Sequence, residues 1–404
     1  MKNLDKRQIY LDNAASTPIR DEVFQEMIPF LTNNFGNPSS LHFLGRESKK
    51  AIKNARRQIC DLIGCSLSEI VFTSGGTEAN NLAIKGIAGL VRDNMKNEKN
   101  IITTEIEHDA ILECMRDLQE LGFKITYLPV SKDGLVSIDK LNDAISKSTI
   151  LVSIMMANNE IGTIQNIKEL VKITKDKNSK ILFHSDAVQG IGKIPINVRE
   201  IGIDTMSISS HKINGPKGIG ALFLKNGVKI KPILHGGGQE NEIRSGTENV
   251  AGIVGFGKAC EIARENLLKN IDRLYFLRDY LIEKVSREIN NSKLNGSLKY
   301  RLPNNINFTF TGINGEDLVM KLDENNICVS TGSACSTNRH KPSHVLKAIG
   351  CSYEEITGSL RISIGLQNSI EELDYTVNTL KRVIPELLEN SPFNSKYKKI
   401  VHTH

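Results

Sequence analysis

The sequence has no tryptophan, only 5% aromatic residues and no long apolar segment. Its most apolar run, near ILVSIMMA, is much shorter than the ~20 residues that a membrane-spanning helix needs. The opening MKNLDKRQIY lacks the apolar core of a secretory signal. We therefore expect a protein without a membrane segment that resides in the cytoplasm.

The seven cysteines are an odd number and include no CxxC pair, which favours a reducing compartment. The formal charge of +6 comes from 52 basic and 46 acidic residues that are interleaved along the chain. Such a surface is solvated and does not indicate direct nucleic-acid binding. Basic residues concentrate only in the C-terminal KYKKIVHTH, which by itself is typical of a frayed terminus without a role.

The length of 404 residues, with 39% hydrophobic residues, predicts two or three domains. Between about 47 and 262, helical periodicity alternates with short apolar runs, which indicates an α/β fold with a mostly parallel wound sheet. The strand-like runs are EIVFTS, NIITTE, KITYLPV, TILVSIMMA, KILFHSDA, TMSISS and GALFLK. Before them, AIKNARRQICDLIG predicts a helix that ends at Gly64 and buries Ile52, Ala55, Ile59, Leu62 and Ile63.

Beyond about residue 262 the pattern changes to NNINFTF, NICVS and LRISIG mixed with helices, which is typical of a smaller α+β domain. The N-terminal IYLDNA is expected to pack beside it. We therefore predict a large domain over 16–262 and a small domain formed by 1–15 and 263–404.

Three segments carry groups that suit one another chemically. In FTSGGTEANNLAIKG a strand ends at Thr73, a glycine turn follows and a helix begins near Thr77. This arrangement is typical of an anion-binding site, but it is also found in turns that only connect a strand to a helix. Asp186 and Lys212 each follow a strand-like run, and alone they would be a turn aspartate and a solvated lysine. Together, an anion cradle, an acidic partner for a ring nitrogen and an amine are what a pyridoxal phosphate enzyme needs.

Two further residues stand out. Arg361 alternates with Leu360 and Ile362 in LRISIG, so it lies on the opposite strand face, where its planar fork suits a carboxylate; a surface arginine is the alternative. Cys335 lies among small residues in STGSACST. By itself it would be a loop thiol without a role, unless residues elsewhere in the chain act with it. Cys328 in NICVS is expected to pack as a strand residue.

The sequence resembles the class I cysteine desulfurases, which are pyridoxal phosphate-dependent members of the class V aminotransferase superfamily. The likeness runs from about 9 to 385 through YLDNAAST, FGNPSSLH, VFTSGGTEANN, ANNEIG, SDAVQ, SSHKINGPKG, HGGGQE, RSGTEN, STGSACS, PSHVLKAIG and LRISIG. It implies a homodimer of the fold type I transferase class. It also implies an enzyme that converts L-cysteine to L-alanine and leaves a persulfide on itself. Such an enzyme supplies sulfur to an iron–sulfur scaffold protein or to another acceptor, including one that serves tRNA thiolation.

The resemblance also implies a role for each matching residue. Lys212 matches the Schiff-base lysine, Asp186 the pyridinium partner, His108 the histidine stacked on the ring, and Cys335 the persulfide carrier. Gln189 and Asn159 match contacts to the phenolic oxygen region, and Arg361 with Asn159 matches the substrate site. The phosphate ligands match Gly76, Thr77, Ser209 and His211, with Thr247 contributed by the neighbouring subunit.

Other interpretations stay open from the residues alone. A selenocysteine lyase or an aminotransferase of the same superfamily is the nearest. A zinc module built on Cys328, Cys335, His340 and His344 is another, although its cysteines are seven apart instead of the usual C-x₂₋₄-C. The chain also has Ser210 where the family commonly has glycine and Ser185 where valine is usual.

Overall fold

The computed structural model describes residues 8–92, 97–331, 342–389 and 391. In these ranges the strands are β1 Ile9–Tyr10, β2 Ile70–Thr73, β3 Asn100–Thr104, β4 Lys124–Leu128, β5 Thr149–Ser153, β6 Leu182–Asp186, β7 Thr205–Ser209, β8 Gly220–Leu224, β9 Ser292–Leu294, β10 Asn305–Phe310, β11 Ile327–Cys328 and β12 Ser359–Ser363. The helices are α1 Asp21–Leu31, α2 Phe43–Ile63, α3 Gly76–Arg92, α4 Asp109–Glu120, α5 Ile138–Ala144, α6 Ile167–Lys177, α7 Val198–Ile201, α8 Val250–Glu265, α9 Leu267–Glu288, α10 Gly315–Asp323, α11 His344–Ala348, α12 Tyr353–Thr357 and α13 Ile370–Glu389. None of these helices combines the length and apolar character needed to cross a membrane.

A seven-stranded sheet forms the centre of the larger part of the chain. Its strand order is β2-β8-β7-β6-β5-β3-β4, and β8 runs antiparallel to both of its neighbours while the other pairings are parallel. Every residue of β3, β7 and β8 is buried, because helices cover both faces of the sheet. The α/β prediction is confirmed, and each of the seven strand-like runs contains one of these strands.

The helix predicted to end at Gly64 is α2. Gly64 has φ 74°, a left-handed conformation that glycine adopts without strain, and its N–H bonds to the Cys60 carbonyl. The five apolar residues expected on the inner face are all buried. Against them packs α8, where a Cβ at Gly257 would lie 2.5 Å from the Ala55 Cα. Glycine at 257 therefore permits the close approach of the two helices.

A second apolar cluster surrounds a three-stranded antiparallel sheet of order β12-β10-β9. The short strand β1 pairs in parallel with β11, and Ile9 and Leu11 join this cluster. The segment IYLDNA thus lies beside the C-terminal part of the chain, as expected. The domain boundary proposed near 262 falls inside α8, three residues before its end at Glu265, and stays a prediction.

Candidate active site

Three strands bring the candidate residues to one edge of the large sheet. The strands β2, β7 and β6 run in the same direction, and their carboxyl ends are Thr73, Ser209 and Asp186. A short 3₁₀ turn, Ser210–Lys212, follows β7 directly. Ligands of open α/β sheets bind at this edge, because loops from several strands meet there.

The glycine turn between β2 and α3 forms a cavity of about 370 Å³ with the end of β7. It is lined by Ala15, Ser16, Ser74, Gly75, Gly76, Thr77, Glu78, Ser209, His211, Lys217 and Gly218. A Cβ at Gly76 would lie 2.7 Å from Val188 Cγ2, so the backbone at this position needs glycine. Four of the five residues predicted as phosphate ligands line this cavity, at the N-terminus of a 17-residue helix.

Two basic side chains line this cavity, and the Glu78 carboxylate that also lines it is paired with Arg244. Burial, followed by the positive charges of Lys212 and Lys217, lowers the pKa of His211 to about 4. The imidazole is therefore neutral at pH 7 and can donate one hydrogen bond without adding charge. Lys217 lines the same cavity and supplies a cation.

Asp186 ends β6 and is buried. Its Oδ2 accepts a hydrogen bond from Asn80 Nδ2 at 2.7 Å, and its Oδ1 accepts one from the Val188 N–H at 2.9 Å. The two donors fix the orientation of the carboxyl group. Asn80 lies in TEANN, four residues after Gly76 and on the same face of α3, but no sequence pattern pointed to it.

Lys212 contacts the N-terminal segment of the chain. Its Nζ donates to the carbonyls of Ala14 at 2.6 Å and Ala15 at 2.8 Å. Gln189 Nε2 donates to the same Ala14 carbonyl at 2.9 Å. Gln189 and Lys212, which are both predicted to contact the cofactor, therefore donate to the same carbonyl.

His108 caps α4, since its Nδ1 accepts a hydrogen bond from the Ala110 N–H at 3.0 Å. The neighbouring Glu107 is fully buried, and its Oε1 accepts from Thr104 Oγ1 at 2.7 Å and from the Met155 N–H at 3.0 Å. Burial raises the pKa of Glu107 to about 8, so this carboxyl is largely protonated at neutral pH. No sequence pattern identified Glu107, because its burial depends on the strands around it.

Arg361 lies in β12 and is 1% exposed, so the surface alternative for this arginine is wrong. Its Nη2 bonds to Asp12 Oδ1 at 2.8 Å and its Nη1 to the Asn159 carbonyl at 3.2 Å. Its Nε has no hydrogen-bond partner within the described part of the chain. The guanidinium is thus held by Asp12 and by the backbone of Asn159, and its role at the substrate stays a prediction. No sequence pattern pointed to Asp12.

Thr247 is exposed and lines a smaller cavity of about 140 Å³, to which Ser74 and Gly218 also contribute. Because Ser74 and Gly218 line the larger cavity too, Thr247 lies next to the anion cradle of its own chain.

Cys335 and His340 fall outside the described residues. Cys328 lies in β11, where it pairs with Tyr10 of β1, so it is a strand residue as expected. Its Sγ accepts a hydrogen bond from Gln8 Nε2 at 3.0 Å.

The two departures from the family pattern are accommodated differently. Ser185 Oγ donates to the Ile154 carbonyl at 2.8 Å, so its polar group is satisfied. Ser210 is buried, and its Oγ has no hydrogen-bond partner among the residues that the structure covers.

The chain belongs to the aminotransferase class-V family, whose model matches residues 9–376. The enzymes of this family use pyridoxal phosphate. Curated relatives include the cysteine desulfurase IscS of Dictyoglomus turgidum, 52% identical over 97% of this chain and 98% of that protein. The cysteine desulfurase IscS of Methanosarcina thermophila is 49% identical over 97% of this chain and 96% of its own length.

Solved structures agree with the sequence relatives. A NifS-like protein superposes with a TM-score of 0.89 at 39% identity and covers 94% of this chain and 100% of its own. SspA in complex with cysteine has a TM-score of 0.75 at 37% identity, covering 88% of this chain and 98% of its own. Within the class-V family, this chain therefore groups with the cysteine desulfurases.

The residues present fit the family's cofactor. A glycine turn at a helix N-terminus offers an anion site, and Asp186 offers a buried acceptor already fixed by two donors. Lys212 offers an amine that bonds to the carbonyl of Ala15, a residue that lines the cradle cavity. These three elements converge at one sheet edge, where a phosphorylated pyridine ring needs them.

Proposed function

We propose that this protein is a cysteine desulfurase that converts L-cysteine to L-alanine and receives the sulfur as a persulfide on Cys335. The observation that carries the proposal is the convergence of the glycine cradle, Asp186 and Lys212 at one sheet edge. The names of the close relatives support the same chemistry.

Each site residue has a proposed task toward the cofactor, which when bound acts as an electron sink. Asp186 would hold the proton of the ring nitrogen, His108 would stack on the ring, and Lys212 would supply the amine that binds the cofactor. Gln189 and Asn159 would contact the phenolic oxygen region. Gly76, Thr77, Ser209 and His211 would bind the phosphate, with Thr247 from the neighbouring subunit.

The remaining residues act on the substrate. Arg361 binds the substrate carboxylate with its planar fork, and its contacts with Asp12 and Asn159 fix the orientation of that fork. Lys212 moves a proton at the substrate Cα. The Cys335 thiolate attacks the substrate sulfur, so that an S–S bond forms as the C–S bond breaks.

We further propose that the enzyme is a homodimer. Large apolar side chains are exposed along α1 and the segment that leads into α2: Phe24 46%, Leu31 61%, Phe35 75%, Leu41 91% and Phe43 62%. Such a concentration is unusual on a monomer surface and suits a subunit interface. The sulfur acceptor is proposed to be an iron–sulfur scaffold protein or a tRNA-thiolation relay, and the cytoplasmic location stays an expectation.

The proposal is tested with two pairs of variants. Lys212→Ala should abolish alanine formation and the visible absorbance of the bound cofactor, whereas Lys180→Ala, at an exposed position, should retain both. Cys335→Ser should bind the cofactor but release no sulfide, because a hydroxyl lacks thiolate nucleophilicity, whereas Cys328→Ser should remain active. Alanine formation by Lys212→Ala, or a persulfide found on Cys328 by mass spectrometry, would contradict the assignment.

A further inference from the structure

One face of strand β10 is polar although it is fully buried. Asn305 and Asn307 lie on this face, whereas Ile306 and Phe308, which alternate with them, belong to the apolar cluster around the three-stranded sheet. Burying an amide is costly unless it makes hydrogen bonds that an apolar side chain could not make. The partners of the two asparagines therefore indicate what this face does.

Both amides donate to one short backbone segment. Asn305 Nδ2 donates to the Asn159 carbonyl at 3.2 Å, and Asn307 Nδ2 donates to the Glu160 carbonyl at 3.2 Å. Within residues 151–163, only Asn159 is not buried. The two asparagines thus hold the backbone at the single place where this stretch of chain becomes accessible.

Arg361 is tied to the same place. It lies opposite Asn307 in the antiparallel pairing of β10 with β12, so the two side chains share one face of the sheet. Its Nη1 donates to the Asn159 carbonyl at 3.2 Å, and that carbonyl therefore accepts from both Asn305 and Arg361. A shift of the Asn159 backbone would remove one of the contacts that orient the guanidinium.

The neighbours of the two amides explain their orientation only in part. Asn295 Nδ2 donates at 2.8 Å to Asn307 Oδ1, so the NH₂ of Asn307 faces the Glu160 carbonyl. The Oδ1 of Asn305, by contrast, is buried and has no hydrogen-bond partner in the part of the chain that the structure describes. An acceptor left in this state lowers stability, so stability alone explains Asn305 poorly.

We propose that Asn305 and Asn307 are positioning residues for recognition of the substrate carboxylate. They hold the carbonyls of Asn159 and Glu160, and through the first of these they fix the fork of Arg361. The proposal rests on the function proposed above, because it takes Arg361 as the group that binds the carboxylate. Neither asparagine has a task toward the cofactor or the sulfur.

The test measures how the holoenzyme binds two fragments of cysteine, with titration calorimetry as the readout. 3-Mercaptopropionate keeps the carboxylate and lacks the amine, whereas cysteamine keeps the amine and lacks the carboxylate. In Asn305→Leu and in Asn307→Leu, the dissociation constant of 3-mercaptopropionate should rise about three- to tenfold, the effect of losing one hydrogen bond. The constant for cysteamine should stay at the wild-type value. The KM for cysteine should rise by a similar factor, with kcat nearly unchanged.

Thr309→Val is the matched control. Thr309 is buried on the same face of β10, but its Oγ1 donates to the Glu355 carbonyl at 3.0 Å and not to the Asn159–Glu160 backbone. This variant should unfold at a lower urea concentration than wild type and should bind 3-mercaptopropionate with the wild-type constant. A stability loss by itself would therefore be separated from a loss of carboxylate recognition.

Should a leucine variant fail to fold, serine at the same position, which leaves room for a water, replaces it and should also weaken 3-mercaptopropionate binding. Wild-type binding of 3-mercaptopropionate by the variants at both positions, or an equal loss for the two fragments, would overturn the proposal. Failure of the proposed function is distinguishable, since it would appear as wild-type holoenzyme that forms no alanine from cysteine, whatever the fragment constants.

Discussion

Asn80 Nδ2 lies 2.7 Å from Asp186 Oδ2, and this hydrogen bond joins the first turns of α3 to the carboxyl end of β6. The same helix begins at the glycine cradle, so one element positions both the anion site and the partner of the acidic group. A phosphate at the cradle and a ring nitrogen at Asp186 would thereby be positioned by the same helix.

Replacing Asn80 by leucine should weaken cofactor binding about five- to tenfold, because one donor to the Asp186 carboxylate is lost, which is worth ~1 kcal/mol. The dissociation constant can be measured by titrating cofactor-free protein and following visible absorbance. Asn81→Leu is the matched control, since Asn81 Nδ2 bonds to the Thr77 carbonyl of its own helix and to no other group among the described residues. Equal affinities for both variants would show that the Asn80 contact does not matter for binding.

Arg361→Lys should raise the KM for cysteine at least about tenfold while the visible absorbance of the bound cofactor stays, because an ammonium cannot bind a carboxylate with two parallel hydrogen bonds. Steady-state kinetics give this value. Asp12→Asn should raise KM less, since the asparagine oxygen still accepts from Arg361 Nη2. A change in kcat alone, with KM unaltered, would place Arg361 outside substrate binding.

Glu107→Gln should change how stability depends on pH. The folded-state pKa of Glu107 is raised to about 8 from 4.5, so the folded protein holds a proton that the unfolded chain releases. The stability contributed by Glu107 is therefore complete below about pH 4.5 and is lost as pH rises toward 8.

Glutamine does not titrate, so the free energy of unfolding of Glu107→Gln relative to wild type should increase by at least about 2 kcal/mol from pH 5 to pH 8. Urea unfolding of both proteins at the two pH values measures this difference, and the other titrating groups cancel in the comparison. A difference that is constant with pH would mean that Glu107 is ionised in the folded protein.

Deleting the residues from Lys396 onward should leave cysteine-to-alanine conversion with a small reductant nearly unchanged. Sulfur transfer to a scaffold protein should become slower, most clearly at low salt, because the lysines of KYKKIVHTH would steer an acidic partner surface. This segment lies outside the described residues, and the prediction rests on its charge and on the family resemblance, which implies that the corresponding region helps to dock the scaffold protein. Equal transfer rates at low salt would mean that the tail has no role in delivery.

Local sequence patterns predicted the elements of the large sheet well, because buried parallel strands are short apolar runs and helices end at recognisable residues such as Gly64. They also predicted the glycine turn before α3 and the positions of Asp186 and Lys212 at strand ends. Their roles followed from the family resemblance, since each residue alone had a commoner structural explanation.

The supporting residues could not be predicted in this way. Asp12 and Arg361 are 349 residues apart in the sequence, and a hydrogen-bond chain links Lys193 to Lys212 through Gln189 and the Ala14 carbonyl. Such contacts depend on which strands are neighbours, and a periodic pattern carries no information about that order.

The sequence by itself determined the α/β class and the strand positions, and it supplied the predicted residues for a phosphate, a ring nitrogen and a carboxylate. Only the tertiary structure decided that Glu107 is neutral and that Asn80 and Asp12 fix their partners. The reason is that residue type sets what a group can donate or accept, whereas burial and distance set its proton affinity and its partner, and both arise only when distant segments pack together.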